Sequence, residues 1–293
     1  VAALLAASLL WAFSFGLIKG ELAGLSPVAV AAGRLAIAAV VFLPLAGRSV
    51  VAGRARLEAA ALGAVQFGLM YVLYVASFRW LSAWVVALLT IFTPLFVILI
   101  AEGPGRRFRA RSLIAVVLAV GGAALVAARG GEGGGAWPGI LMLQGSNLCF
   151  ALGQVRYGAL RRRWDAPDVG LVAWMYAGAA IVTTAALPLA GVFGVPALAG
   201  WTSRSLLVLL YLGLLPTALG FWLWNRGAAR VAPGFLAAAN NLKVPLAVVV
   251  SWLVFHEKAA DARGLAGLAL LLAALVVAGR GGRLPIGKEP PVA

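Results

Sequence analysis

The stretch MYVLYVASFRWLSAWVVALLTIFTPLF (70–96) decides the architecture, because its only charge, Arg79, stands between two apolar runs. Extended outward, the runs cover 58–78 and 82–101, each close to the ~20 residues a helix needs to cross the hydrocarbon of a bilayer. The same pattern continues along the chain. Apolar runs over 2–19, 27–47, 58–78, 82–101, 112–128, 137–157, 168–190, 205–225, 232–255 and 264–279 predict ten transmembrane helices joined by short connections. The first run has no basic leader and no small-residue cleavage pattern, so it reads as a span and not as a signal peptide. The closing RGGRLPIGKEPPVA is polar and rich in Pro and Gly, which predicts a disordered tail.

Composition agrees. Of 293 residues, 63% are hydrophobic and 11% charged, and the mean hydropathy is +1.01, as expected of an integral membrane protein. The net charge of +15 would suit a nucleic-acid binder, but the cations sit in clusters between apolar runs. Sixteen of the 24 Lys and Arg residues fall in or at the edge of the loops after even-numbered spans and in the tail, against six after odd-numbered spans. Cytoplasmic loops carry the excess of Lys and Arg, so both termini are expected to be cytoplasmic. A single cysteine, Cys149, cannot form an internal disulfide. One histidine, His256, and nine carboxylates leave no inventory for a metal or catalytic constellation, so no enzyme, metal or cofactor is expected.

The chain also resembles itself. WAFSFGLIK (11–19) aligns without gaps to LCFALGQVR (148–156), and LPLAG occurs at 43–47 and again at 187–191. Pro94 then pairs with Pro245, Tyr71 with Trp222, Tyr74 with Asn225 and Arg79 with Arg230. Two repeats follow, 1–130 and 131–280, with 281–293 as the tail. Five spans per repeat, an odd number, turn the second repeat upside down relative to the first. The predicted fold is therefore all-α, ten transmembrane helices as two inverted repeats around a central cavity, the plan of many secondary transporters.

AAGRLAIAAVVF (31–42), the 70–96 stretch and FWLWNRGAARVAPGFLAAANNLKVPLAVVVSWLVFHEKA (221–259) together resemble the drug/metabolite transporter superfamily, in particular its ten-helix group of two EamA-type repeats. The resemblance covers nearly the whole chain. The spacing from Pro245 to HEK, with Glu257, matches the family's usual ending, whereas Glu102 in the first half comes four residues early. What the resemblance implies is a bacterial inner-membrane exporter of small metabolites with its cavity between the halves, most similar to the exporters of aromatic and neutral amino acids.

Polar residues in hydrocarbon mark the candidate site, because each is costly unless satisfied. In NNLKVPL (240–246), Lys243 sits near mid-span with no mid-span carboxylate to pair with it, which suits either a substrate carboxylate or bonds to neighbouring helices. Pro245 and Pro94 lack an N–H and free the carbonyls of Asn241 and Thr90, reading as matched hinges or cavity walls. Arg34, a turn and a half inside its span, reads as structural. Gln144 and Asn147 share a face of the sixth span. Ser8, Trp11 and Ser14 offer the matching stripe on the first span, and Gln66 lies in the third. Trp80, Trp84, Trp137, Trp164 and Trp201 near span ends read as an interfacial belt. Trp11, Tyr71, Tyr74, Trp174 and Trp222 lie within spans and suit the walls of a pocket as well as a core. Gly16, Gly20 and Gly24, four apart, predict close helix packing.

The substrate-binding set expected from these arguments is Trp11, Ser14, Tyr71, Tyr74, Thr90, Gln144, Asn147, Trp222, Asn225, Asn240, Asn241 and Lys243. The hinges are Pro94 and Pro245, and Arg34, Gln66 and Glu257 have structural or open roles. The expected activity is export of neutral or aromatic amino acids by a monomer working by alternating access. The alternatives are efflux of lipophilic cations and, remotely, an intramembrane enzyme. The expected partners are a small-molecule substrate and membrane lipid, with no nucleic acid.

Overall fold

The computed structural model describes residues 2–46, 51–102, 136–164, 166–192, 200–228 and 250–256, and eleven isolated positions between 114 and 273. Among them every regular element is a helix. In chain order these are α1 (Ala2–Leu17), α2 (Pro27–Ala46), α3 (Gly53–Gly63), α4 (Met70–Ser77), α5 (Ala83–Leu89), α6 (Phe92–Glu102), α7 (Trp137–Trp164), α8 (Asp168–Ala185), α9 (Ser203–Leu212) and α10 (Gly220–Ala228).

Five helical stretches are long and apolar enough to cross a membrane: Ala2–Leu22, Pro27–Leu45, Gly53–Ser77, Asp168–Ala185 and Ser203–Gly227. They match the first, second, third, seventh and eighth expected spans. The fourth is the shorter apolar pair α5 and α6, and the sixth is α7, which runs seven residues past its expected end into Arg161, Arg162 and Arg163. The expected spans at 112–128, 232–255 and 264–279 lie largely outside the described residues. The chain is an all-α membrane protein.

Three spans are wound more loosely over one turn. A π-helical segment at Ile18–Leu22 ends the first, one at Ala64–Leu69 joins α3 to α4, and one at Gly213–Leu219 joins α9 to α10. The last two overlap under the shift that pairs Tyr71 with Trp222, so corresponding spans are distorted at corresponding heights. A proline explains the second distortion. Pro216 has no N–H, which leaves the Leu212 carbonyl without its helical partner. The Thr217 hydroxyl donates to that carbonyl at 2.7 Å. The carbonyls of Thr217 and Ala218 accept from the Tyr176 hydroxyl at 2.8 and 3.1 Å, and that of Pro216 accepts from Trp11 Nε1 at 2.9 Å. Backbone groups at membrane depth must find partners within the protein, and here side chains of the first and seventh spans supply them.

The fourth span breaks outright at Thr90–Ile91, between α5 and α6. The expectation that Pro94 leaves the Thr90 carbonyl open is corrected: Thr93 N donates to it at 3.0 Å. The carbonyl left over is that of Leu89, and Asn147 Nδ2 from α7 donates to it at 3.0 Å. Thr93 in turn donates to Asn147 Oδ1 at 3.2 Å. A polar side chain from another span thus closes the break.

Glycines set the closest crossing. A Cβ on Gly63 would stand 2.0 Å from the Met175 carbonyl oxygen, and one on Gly178 would stand 2.1 Å from that of Ala60, so α3 and α8 touch backbone to backbone. Of the expected glycine stripe only Gly16 is a close approach, under the Phe255 ring; Gly20 and Gly24 face open space. Trp84 is likewise corrected, since it is 4% exposed and sits in the core, not in an interfacial belt. Contacts between span ends close the bundle at both ends. At one, Arg161 pairs with Asp168 at 2.9 Å and Trp164 Nε1 donates to Glu58 at 3.1 Å. At the other, Glu21 pairs with Arg204 at 2.8 Å and Lys19 donates to the Phe78 carbonyl at 2.8 Å.

Candidate functional site

Between these ends lies a cavity whose empty space, counting the part open to solvent, is about 540 Å³. Six spans line it: Trp11, Ser14 and Phe15 from the first, Arg34 from the second, and Met70, Tyr71 and Tyr74 from the third. The others are Thr90 and Thr93 at the break in the fourth, Ser146, Asn147 and Phe150 from the sixth, and Phe221 from the eighth. The distortions explain why a cavity exists here. The break at Thr90–Ile91 puts polar side chains on the wall where a continuous helix would present its apolar face. The π segment ending at Leu219 sets the angle from which α10 presents Phe221.

The aromatic wall is one connected set. Trp11 meets Phe150 edge to face with ring centroids 6.3 Å apart and Phe221 at 5.0 Å; Phe221 meets Phe150 at 5.6 Å and Tyr71 at 5.9 Å. Tyr71 and Tyr74 stand 6.2 Å apart, and Phe15 lies 6.0 Å from Tyr74. Such rings offer a flat apolar ligand large contact area with little conformational freedom to lose.

Arg34 is the one charged side chain among the described residues that line the cavity, and it is 1% exposed. Its Nε donates to Thr217 Oγ1 at 3.1 Å, its Nη2 donates to the Tyr71 hydroxyl at 3.0 Å, and its Cζ lies 4.2 Å from the Tyr71 ring centroid. The Tyr71 hydroxyl and Thr217 Oγ1 are 3.2 Å apart. Because the single Thr217 proton goes to the Leu212 carbonyl, Tyr71 is the donor in that pair, and both oxygens accept from Arg34. Nη1 is left with no hydrogen-bond partner. Among the described residues no carboxylate pairs with Arg34 and no acidic side chain lines the cavity. A buried cation with an open donor beside an empty volume is an arrangement able to receive an anion.

Of the expected set, Trp11, Ser14, Tyr71, Tyr74, Thr90 and Asn147 line the cavity, together with Arg34, whose role sequence left structural or open. Gln144 stands behind Asn147 and accepts from it at 3.2 Å. Trp222 and Asn225 do not line the cavity; the Arg226 guanidinium lies 5.2 Å over the Trp222 ring, and Asn225 is buried with its Nδ2 unpartnered. Gln66 is fully buried against the backbone of Gly153. Pro94 is the third residue of α6, just past the break in its span. Asn240, Asn241, Lys243, Pro245 and Glu257 lie outside the described residues. Sequence reasoning missed Phe15, Met70, Phe150, Phe221, Thr93 and Ser146. It also missed the brace of Pro216, Thr217 and Tyr176, of which the proline in GLLPTALGFW (213–222) was the visible sign.

Comparison with known proteins fits this picture. The sequence pattern of the EamA-like transporter family matches residues 1–128 and again 137–279. The chain is 38% identical over 277 residues to a probable biotin transporter of Pseudomonas aeruginosa, covering 94% of this chain and 96% of that one. It is 32% identical to the biotin transporters of Salmonella typhimurium and Escherichia coli K12, over 280 and 284 residues, covering 94% of this chain and 92% of each. A solved crystal structure at 19% identity superposes with a TM-score of 0.65 over 94% of this chain and 95% of its own, which marks a shared fold.

Proposed function

The chain belongs to the EamA-like transporter family of the drug/metabolite transporter superfamily, and from that membership we propose that its cargo is biotin, held by its carboxylate at Arg34. That it is a membrane transporter follows from the family; the cargo is the further step. The observation that carries it is the open Nη1 of a buried, cavity-lining guanidinium. A carboxylate accepting from Nη1 gains a charge-assisted hydrogen bond in a place where water competes poorly. The aromatic wall suits the apolar body of a biotin molecule.

This reading replaces the amino acid expected from sequence. An amino acid brings an ammonium group as well as a carboxylate, and the described wall holds a cation and no acid to receive it. The same argument counts against lipophilic cations. Three relatives that each match 94% of the chain carry biotin in their printed names. The proposal retains the organisation expected from sequence: two inverted repeats, 1–130 and 131–280, in the bacterial inner membrane with both termini cytoplasmic, exposing the cavity alternately to the two sides. The end contacts between the repeats, Trp164–Glu58 and Glu21–Arg204, open in turn.

The test is entry of labelled biotin into proteoliposomes containing the purified protein, with unlabelled biotin, tryptophan and a lipophilic cation as competitors. Biotin alone is expected to compete. Entry no faster than into empty vesicles, or competition by tryptophan or the cation in place of biotin, overturns the proposal.

A further inference from the structure

The hydroxyl groups around the cavity divide into committed and open ones. Ser14 donates to the Leu10 carbonyl at 3.0 Å and Thr90 to that of Ala87 at 2.7 Å. Thr93 donates to Asn147 Oδ1 at 3.2 Å, and Tyr71 to Thr217 at 3.2 Å. Asn147 has both N–H groups engaged, with the Leu89 carbonyl and with Gln144. Among the described residues the hydroxyls of Ser146 and Tyr74 have no hydrogen-bond partner, although Ser146 is only 3% exposed and both residues line the cavity.

Both line the same cavity, on the third and sixth spans, which meet where the Leu73 side chain lies 3.2 Å from where a Cβ on Gly145 would stand. Tyr74 is one turn of helix, about 4.5 Å along the axis, from Tyr71, whose hydroxyl is bonded to Arg34. The cavity thus has a cationic level at Arg34 and a neutral level toward the end that carries Lys19 and Phe78, with the Phe221 and Phe150 rings on the wall between.

We propose that Ser146 and Tyr74 form a head-group subsite for a neutral cyclic urea or amide, which makes the transporter selective for monocarboxylic acids that carry such a head. The inference rests on the reading of Arg34 as the carboxylate anchor and names what lies at the other end of the same ligand. A ureido carbonyl has two lone pairs for the two open O–H donors. Its N–H groups find lone pairs on the Thr90 and Thr93 oxygens, whose own protons are committed. All four groups are neutral, so the level offers no counter-charge to an ammonium or a second carboxylate. An acid with the same tail and a head that cannot hydrogen bond leaves both hydroxyls buried and unpaired, the situation in which polar sites discriminate most strongly.

The experiment uses the full-length protein in nanodiscs and measures direct binding of labelled biotin and labelled lipoate. Lipoate has the same five-carbon acid tail on a dithiolane ring, with no N–H or carbonyl in the head. Wild type is expected to prefer biotin. Ser146→Ala, which removes a hydroxyl bonded to nothing in the protein and so leaves the fold's hydrogen bonds intact, is expected to weaken biotin by about tenfold. Tyr74→Phe is expected to act in the same direction, with lipoate shifted less than twofold in both variants. Arg34→Gln is expected to weaken both acids together. If Ser146→Ala and Tyr74→Phe leave the biotin-to-lipoate ratio at its wild-type value, the subsite is overturned while the carboxylate anchor stands. If wild type binds lipoate as well as biotin, the subsite is likewise overturned. If wild type binds neither acid, the anchor falls and the subsite with it.

Discussion

Replacing Arg34 with methionine separates a ligand anchor from a structural brace. An arginine in mid-span costs about 2.5–3.5 kcal/mol on the insertion scale. Against this, its bonds to Thr217 and Tyr71 return about 0.6 kcal/mol each, the average of membrane double-mutant cycles. Its position over the Tyr71 ring adds about 2 kcal/mol for a desolvated cation–π contact. The two sides nearly cancel. The partners also keep each other afterwards, since Tyr71 still donates to Thr217 and Thr217 to the Leu212 carbonyl. Arg34→Met should therefore change the stability of the ligand-free protein by about 1 kcal/mol or less in either direction, as exchanging a buried charge for an apolar group often does. Biotin binding should fall by the value of a charge-assisted hydrogen bond, about 1.5–3 kcal/mol, or roughly 10- to 150-fold in Kd. Unfolding by SDS in mixed micelles, followed by tryptophan fluorescence, reads the first quantity, and binding of labelled biotin reads the second. A variant destabilised by about 3 kcal/mol or more, with biotin affinity intact, would show that the guanidinium is a brace and refute the reasoning.

Tyr176→Phe strips the cap from the Thr217 and Ala218 carbonyls and should cost about 1–2 kcal/mol in the same unfolding assay, because neither carbonyl can turn to water. Gly63→Ala and Gly178→Ala each push a methyl into opposing backbone and should cost about 1–3 kcal/mol or more, read as loss of monodisperse protein on size exclusion; Gly20→Ala, facing open space, is the control. Asn147→Ala uncaps the Leu89 carbonyl at the break in the fourth span and should slow biotin entry into proteoliposomes more than it lowers thermal stability, as only a wall of the cavity shifts.

How far the site could be read from the sequence depended on contrast. In a chain that is 63% hydrophobic, a Ser, Thr, Asn or Trp inside an apolar run stands out, so Ser14, Thr90, Asn147 and Trp11 were legible. Phe15, Met70, Phe150 and Phe221 were not, since nothing in an apolar run says whether a ring faces cavity, core or lipid. Helical spacing gave neighbours but not the boundary of a face. Gln144 and Asn147 are adjacent on α7, yet the cavity takes Asn147 and leaves Gln144 behind it. Arg34 was read from its distance to the span end, a measure of reach to water that says nothing of the cavity its side chain lines. The break in the fourth span was visible as Pro94, but its geometry was not, because the partner of the freed carbonyl comes from α7.

The two backbone defects differ in the order in which their repairs leave the ribosome. Trp11 and Tyr176, which hold the carbonyls beside Pro216, precede the eighth span in the chain, so this distorted helix enters a membrane where its caps already wait. The break at Thr90 has the opposite history: Asn147 is synthesised more than fifty residues later, and until the sixth span arrives the Leu89 carbonyl has no partner from that side. Chains are made from the N-terminus and backbone groups in lipid tolerate no vacancy, so the fourth span carries an open backbone carbonyl until the sixth span is made. A fault in that step would show itself at the turn that lines the cavity.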